Sequence, residues 1–154
     1  MRIRKVEFTD LERKAAETAK PVLDLLAPQL GRAYVIAITR DGCPACEKQK
    51  PLLDKLAATA EREHPGRSVF TRIHVRYAPQ SQEESKRSKT LLGHYFYPTN
   101  LILLRTPDRG AISHYRNSSP TMSELKKNIE VAVKIATMME KENHKEPRKS
   151  LTDP

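Results

Sequence analysis

The sequence predicts an α/β domain whose elements run β-α-β-α-β-α-β-β-α. Three observations carry this reading. Residues 33–39 form a nearly unbroken apolar run, the pattern of a central strand covered on both faces. On either side of it apolar residues recur at helical spacing: Leu11, Ala15, Ala19, Val22, Leu23, Leu26 and Leu30 before it, Leu52, Leu53, Leu56, Ala57 and Ala60 after it. Near the C-terminus two short strand-like runs, 100–105 and 111–116, flank Thr106-Pro107-Asp108-Arg109-Gly110, which reads as a hairpin turn.

In chain order, residues 2–8 place Ile3, Val6 and Phe8 among charges, as a short edge strand does. Thr9 and Glu12 have the spacing of a capping box at the head of the first helix. Pro21 lies inside that helical pattern and should kink or split it near Lys20, because proline has no backbone donor; Gly31 then ends it. The helix that follows the central strand should stop at His64-Pro65-Gly66. Residues 69–77 alternate, with Val69, Thr71, Ile73 and Val75 on one side, and suit a strand nearer the sheet margin. Ser81 and Glu84 repeat the capping spacing ahead of a charged helix that ends at Leu92 with Gly93 as its cap. Thr121 caps a last helix with Leu125, Ile129, Ala132, Val133, Ala136 and Met139 inward. Residues 142–154 are charged and rich in breakers, so a disordered tail is expected beyond a domain at 1–141.

A chain of 154 residues suffices for one domain with its own core. The formal charge of +9 favours acidic partners, protein or nucleic acid. Nucleic acid is the weaker of the two, since aromatics are only 5% of the chain and the basic residues follow no nucleic-acid-binding motif. The basic run at Lys86, Arg87 and Lys89 reads as a solvated face or a docking site for an acidic protein. Two cysteines are too few for the disulfide framework of a small secreted protein. The N-terminus has no signal-peptide core and no run is long enough to span a membrane, so a cytoplasmic location is expected.

The chemistry concentrates where the central strand ends. Arg40-Asp41-Gly42 forms a polar turn, and Cys43-Pro44-Ala45-Cys46 opens the next helix. A helix N-terminus carries unpaired N–H groups and a partial positive charge, which favour a thiolate there over the thiol. A second cysteine three residues on is one turn away, close enough to close a ring with the first, so the pair reads as a disulfide switch. Cys43, at the exposed start of the helix, is the expected nucleophile, and Cys46 the resolving thiol.

Strand, Cys-Pro-Ala-Cys and the helix through Pro51 resemble the active-site segment of thioredoxins, where a proline likewise stands five residues after the second cysteine. Tyr97-Pro98-Thr99, directly before the apolar run 101–104, is similar to the segment carrying that family's cis-proline. The resemblance spans roughly residues 9–139. It implies the thioredoxin fold, a mixed central sheet with helices on both faces. It further implies that Tyr97, Pro98 and Thr99, with Pro44 and Ala45, form the substrate-binding surface. The function implied is thiol–disulfide exchange with protein disulfides, supported by an upstream reductase or dithiol donor, and with no cofactor beyond the Cys43–Cys46 pair.

Two departures bear on mechanism. The family's buried acid aligns with Ala37, so proton transfer at Cys46 must fall to Glu47, Asp41 or water. Arg40 is placed to lower the pKa of Cys43, unless Asp41 neutralises it. The Pro-Ala dipeptide between the cysteines is similar to glutaredoxins and periplasmic oxidants, whose couples lie above the roughly −270 mV of thioredoxin. A specialised oxidoreductase is therefore expected, with a non-catalytic protein-binding or redox-regulatory module as the alternative. A metal reading is weaker. Cys-x-x-Cys is half a zinc site, but His64, His74, His94, His114 and His144 form no paired ligand motif and read as surface or strand residues.

Overall fold

The computed structural model describes residues 3–145. Its elements are β1 (Arg4–Glu7), α1 (Phe8–Thr18), α2 (Val22–Leu26), β2 (Ala33–Arg40), α3 (Pro44–Glu63), β3 (Ser68–Val75), α4 (Glu83–Leu92), β4 (Thr99–Arg105), β5 (Ala111–Asn117) and α5 (Met122–Lys145). The five strands form one mixed sheet in the order β1-β3-β2-β4-β5. β1 and β2 run parallel to β3, whereas β4 is antiparallel to both β2 and β5.

The apolar run of β2 is buried because alternate side chains feed two separate cores. Ala33, Val35 and Ala37 face α3 and α5, packing with Leu53, Leu56, Ala57, Leu125, Ile129 and Val133. Tyr34, Ile36 and Ile38 face the other way, toward Phe8 and Leu11 of α1, Leu26 of α2 and Leu92 of α4. Helices thus cover both faces, and the end of β2 emerges between them.

The element order matches the expected one, with the first helix divided in two. The break follows from local chemistry: Ala19 takes a left-handed conformation and Pro21 precedes α2 as its N-cap. Gly31 does not end a helix. α2 stops at Leu26, two residues before Pro28, which disfavours helical geometry in the residue before it. Gly31, at φ 87°, instead serves the turn into β2.

Two of the three capping expectations fail. α1 begins at Phe8, ahead of Thr9, and α4 begins at Glu83 without a side-chain cap. Glu84 is drawn off to the backbone N–H of Arg76 and to its guanidinium. Thr121 does cap α5, its hydroxyl accepting from the N–H of Glu124 at 3.0 Å. β3 ends at Val75, short of Tyr77, and lies one strand in from the edge because β1 covers it. α5 runs on to Lys145, past the expected boundary at 141; the rest of the expected tail, 146–154, lies outside the described residues. No described helix is long and apolar enough to cross a membrane.

Candidate active site

β2 delivers the chain to the turn at Asp41 and Gly42, where Gly42 adopts φ 61°, a conformation open to glycine at little steric cost. Cys43 then stands as the N-cap of α3 with Pro44 in the first turn, where a missing N–H costs nothing. Cys43 and Cys46 form a disulfide, with their Cα atoms 5.3 Å apart. The Cys43 sulfur also accepts a hydrogen bond from the backbone N–H of Cys46 at 3.2 Å. It occupies the capping position that a serine or aspartate oxygen would otherwise fill.

The expected contrast in exposure is absent. Each cysteine is 5% exposed, and Pro44 and Ala45 are the exposed members of the motif. What distinguishes the sulfurs is the helix end: Cys43 caps it, and Cys46 lies inside the first turn. On reduction, negative charge is therefore best held at Cys43.

Pro98 follows a cis peptide bond from Tyr97. With Ala45, Lys48, Leu52 and Phe96, these two residues line a groove of about 520 Å³, so the turn before β4 and the Cys-x-x-Cys loop share one surface. The turn is pinned from several sides. Thr99 donates its hydroxyl to the Phe96 carbonyl at 2.7 Å, and the Tyr97 hydroxyl meets that of Ser85 at 2.9 Å. The Tyr97 ring stands edge-on to His94, centroids 4.9 Å apart. Tyr95 and Phe96 project outward, 81% and 66% exposed.

The polar neighbours are held by partners other than the cysteines. The Arg40 guanidinium donates to the carbonyls of Asp41 and Gly42 at 2.7 and 3.2 Å and stacks over Tyr77 at 4.1 Å. It fixes the turn. The Asp41 carboxylate does not neutralise it: one oxygen meets His74 Nε2 at 2.7 Å, and the other accepts from the Tyr77 N–H at 3.1 Å. These hydrogen bonds, that to His74 foremost, hold the Asp41 carboxyl below the usual range. Asp41 is thus an ionised anchor at neutral pH, poorly suited to the proton-carrier role considered for it. Glu47 is exposed on α3, and its N–H bonds to the Cys43 carbonyl at 3.1 Å.

Several of the partnerships here had no sequence signal. Ala37 stands between Arg72 and Asn100 in strand register. Asn100, fully buried, donates to Gln49 on α3 at 2.8 Å and ties β4 to the active-site helix. His94 is neither a surface nor a strand residue: it is 2% exposed, between the Ser88 hydroxyl at 2.8 Å and the Phe96 carbonyl at 3.3 Å. A second cavity, of about 560 Å³, reaches Cys46 from the side of β1 and β3. Among the described residues, no group of three or more His, Cys, Asp or Glu is placed to hold a metal ion.

The sheet order, with helices on both faces and the Cys43–Cys46 pair at the head of α3, is matched among solved structures. The chain has the thioredoxin fold. It is similar in structure to a thioredoxin from Nicotiana alata, at TM-score 0.58 and 17% identity over 86% of this chain and 95% of that one. It is also similar to mitochondrial thioredoxin 3 of Saccharomyces cerevisiae in its oxidised form, at TM-score 0.53 and 17% identity over 84% and 94% of the two chains. A thioredoxin of Fasciola hepatica matches at TM-score 0.53 and 16% identity over 84% and 99%. No family model and no curated protein matches the sequence.

Proposed function

We propose that the protein is a thiol–disulfide oxidoreductase that exchanges disulfides with protein substrates through Cys43 and Cys46. The observation that carries the reading is the Cys43 sulfur, which caps α3 while bonded to Cys46. In the reduced pair, the Cys43 thiolate attacks one sulfur of a substrate disulfide. A mixed disulfide forms, and the other substrate sulfur leaves as a thiolate and takes up a proton. Cys46, as thiolate, then attacks the Cys43 sulfur, re-forming the internal disulfide and releasing the second substrate sulfur. An upstream reductase or dithiol donor returns the pair to its reduced state.

The substrate chain lies extended in the groove, against the backbone of Tyr97 and over Pro98 and Ala45, with Pro44 exposed on the same motif; Thr99, 3% exposed, offers no contact surface and instead holds the turn through the Phe96 carbonyl. The excess of basic residues favours acidic substrates. The composition and cysteine usage fit a cytoplasmic setting, with no cofactor beyond the disulfide itself.

The deciding experiment equilibrates the protein in graded dithiol buffers and counts free thiols by alkylation and mass. A single reversible two-electron transition is expected. Its midpoint separates a reductant, near about −270 mV, from an oxidant or isomerase nearer about −120 to −180 mV. Absence of a reversible transition overturns the reading. A non-catalytic binding module is the second reading, favoured by the outward aromatics Tyr95 and Phe96 beside sulfurs that are themselves buried. Replacing both cysteines by serine abolishes partner exchange in the first reading and leaves partner capture intact in the second.

A further inference from the structure

Ala37 of β2 carries no ionisable group, yet Cys46 still has to lose a proton before it can attack Cys43. The cavity of about 560 Å³ at Cys46 is lined by cations from three elements: Lys5 of β1, Lys50 of α3 and Arg72 of β3. Arg72 is the register partner of Ala37 itself. Against these stands one lining carboxylate, Asp54 of α3, while β2 contributes the uncharged Thr39. Lys5 has a partner in Glu7 at 3.6 Å. Among the described residues, Arg72 and Lys50 form no ion pair.

We propose that these cations, Arg72 foremost, stabilise the Cys46 thiolate, whose proton leaves directly to water in the cavity. Arg72 is then a positioning residue that acts through Cys46. The step is a plain ionisation: the S–H bond of Cys46 breaks, water carries the proton away, and the sulfur keeps the electron pair with which it attacks Cys43. The physical basis is twofold. An opposite charge nearby favours the ionised form of an acid, and a cavity of this size has ample room for water. A cationic lining performs the task without a base whose own protonation would have to be tuned. The inference rests on the exchange reading for its purpose, though not for its test.

The test uses the full chain with Cys43→Ser, which leaves Cys46 as the sole thiol and disables exchange. Thiolate ultraviolet absorbance is followed against pH. Cys46 is expected to ionise below the free-thiol value of about 8.5, and adding Arg72→Gln should lower its thiolate fraction at pH 7 about threefold to tenfold. Arg72→Lys should restore it, because charge and not shape is at issue. A titration at or above the free-thiol value that Arg72→Gln leaves unmoved overturns the proposal. If Arg72→Gln fails to fold, salt dependence of the Cys43→Ser protein decides. Raising ionic strength toward 1 M, where the screening length is about 3 Å, should move the titration upward, and an unmoved curve overturns the inference. Because Cys46 ionisation is read in a protein that cannot exchange disulfides, this outcome is independent of the dithiol titration of the wild type.

Discussion

His74 Nε2 lies 2.7 Å from a carboxylate oxygen of Asp41, while His74 Nδ1 lies 2.8 Å from Glu7. One imidazole thereby joins the edge strand β1 to the turn that leads into Cys43. Burial by itself pushes the His74 pKa down, but the hydrogen bonds to Glu7 and Asp41, and their charges, outweigh it and raise it. The same bridge lowers both carboxyls.

The sign of the pH dependence follows. A raised histidine pKa contributes stability that is fully present below the unfolded value of 6.5 and is lost as pH rises through the folded one. The lowered carboxyls limit the window on the acid side, where their contribution is lost as pH falls through their folded values. Urea unfolding of the wild type and His74→Asn should therefore differ most just below pH 6.5, and the difference should shrink as pH rises through the raised folded value. A deficit that stays constant across that range would show that packing, not charge, holds the bridge.

His94 behaves in the opposite sense. Burial first, helped by the charges of Lys89 and Arg116, pushes its pKa down to about 4 despite the Phe96 carbonyl bond. The neutral ring donates from Nδ1 to that carbonyl and accepts the Ser88 hydroxyl at Nε2. Below pH 6.5 the unfolded chain binds the proton more readily, so stability should fall by up to about 3 kcal/mol as pH drops toward 4. Comparing the pH dependence of wild type and His94→Asn isolates this contribution; equal slopes between pH 6.5 and 4 would exclude it.

Gln49 and Asn100 give a prediction about polar burial. Their one mutual hydrogen bond leaves Gln49 Nε2 and Asn100 Oδ1 without protein partners and almost inaccessible. Asn100→Leu alone strands the Gln49 carbonyl and should cost about 1–3 kcal/mol. Adding Gln49→Leu should recover most of that loss, because no buried polar group is then left unpaired. Denaturant titration of the two singles and the double measures the coupling, and additive losses would sink the argument.

Phe96 tests the groove. Its ring is largely exposed, so Phe96→Ser should change folding stability by no more than about 0.5 kcal/mol. Exchange with a protein disulfide should nevertheless slow, through a higher KM, while exchange with a small soluble disulfide stays as it was. Equal effects on both substrates would place Phe96 outside substrate contact.

Much of the fold was legible because its signals are periodic. The β2 run and the α3 and α5 faces each bury a pattern visible in one dimension, and the exposed hairpin turn is marked by its own Pro and Gly. The Cys-x-x-Cys and Tyr97-Pro98-Thr99 segments were legible as local motifs. The caps at Thr9 and Ser81 misled because a capping spacing says nothing of competing partners, and Glu84 found Arg76 instead. Nor did position in sequence reveal burial of Cys43, which depends on what the fold packs over the helix start. The Gln49–Asn100 contact, the His74 bridge and the Arg72 cavity join residues far apart in the chain, and no local pattern encodes them.

The sheet order has a last consequence, for how the chain acquires its fold. β2 pairs with β3 and β4, both of which follow it in the sequence, and β1 waits for β3 across most of the same interval. Only β4 and β5 can meet as a local hairpin. A chain emerging from the ribosome therefore exposes the apolar β2 segment and both cysteines well before their flanking strands exist. Non-local pairings of this kind are slow to form and open to aggregation meanwhile. Nascent chains halted before residue 99 should thus leave the apolar β2 run unpaired on its β4 side, and a protease should cut within residues 33–40 there while sparing the full chain.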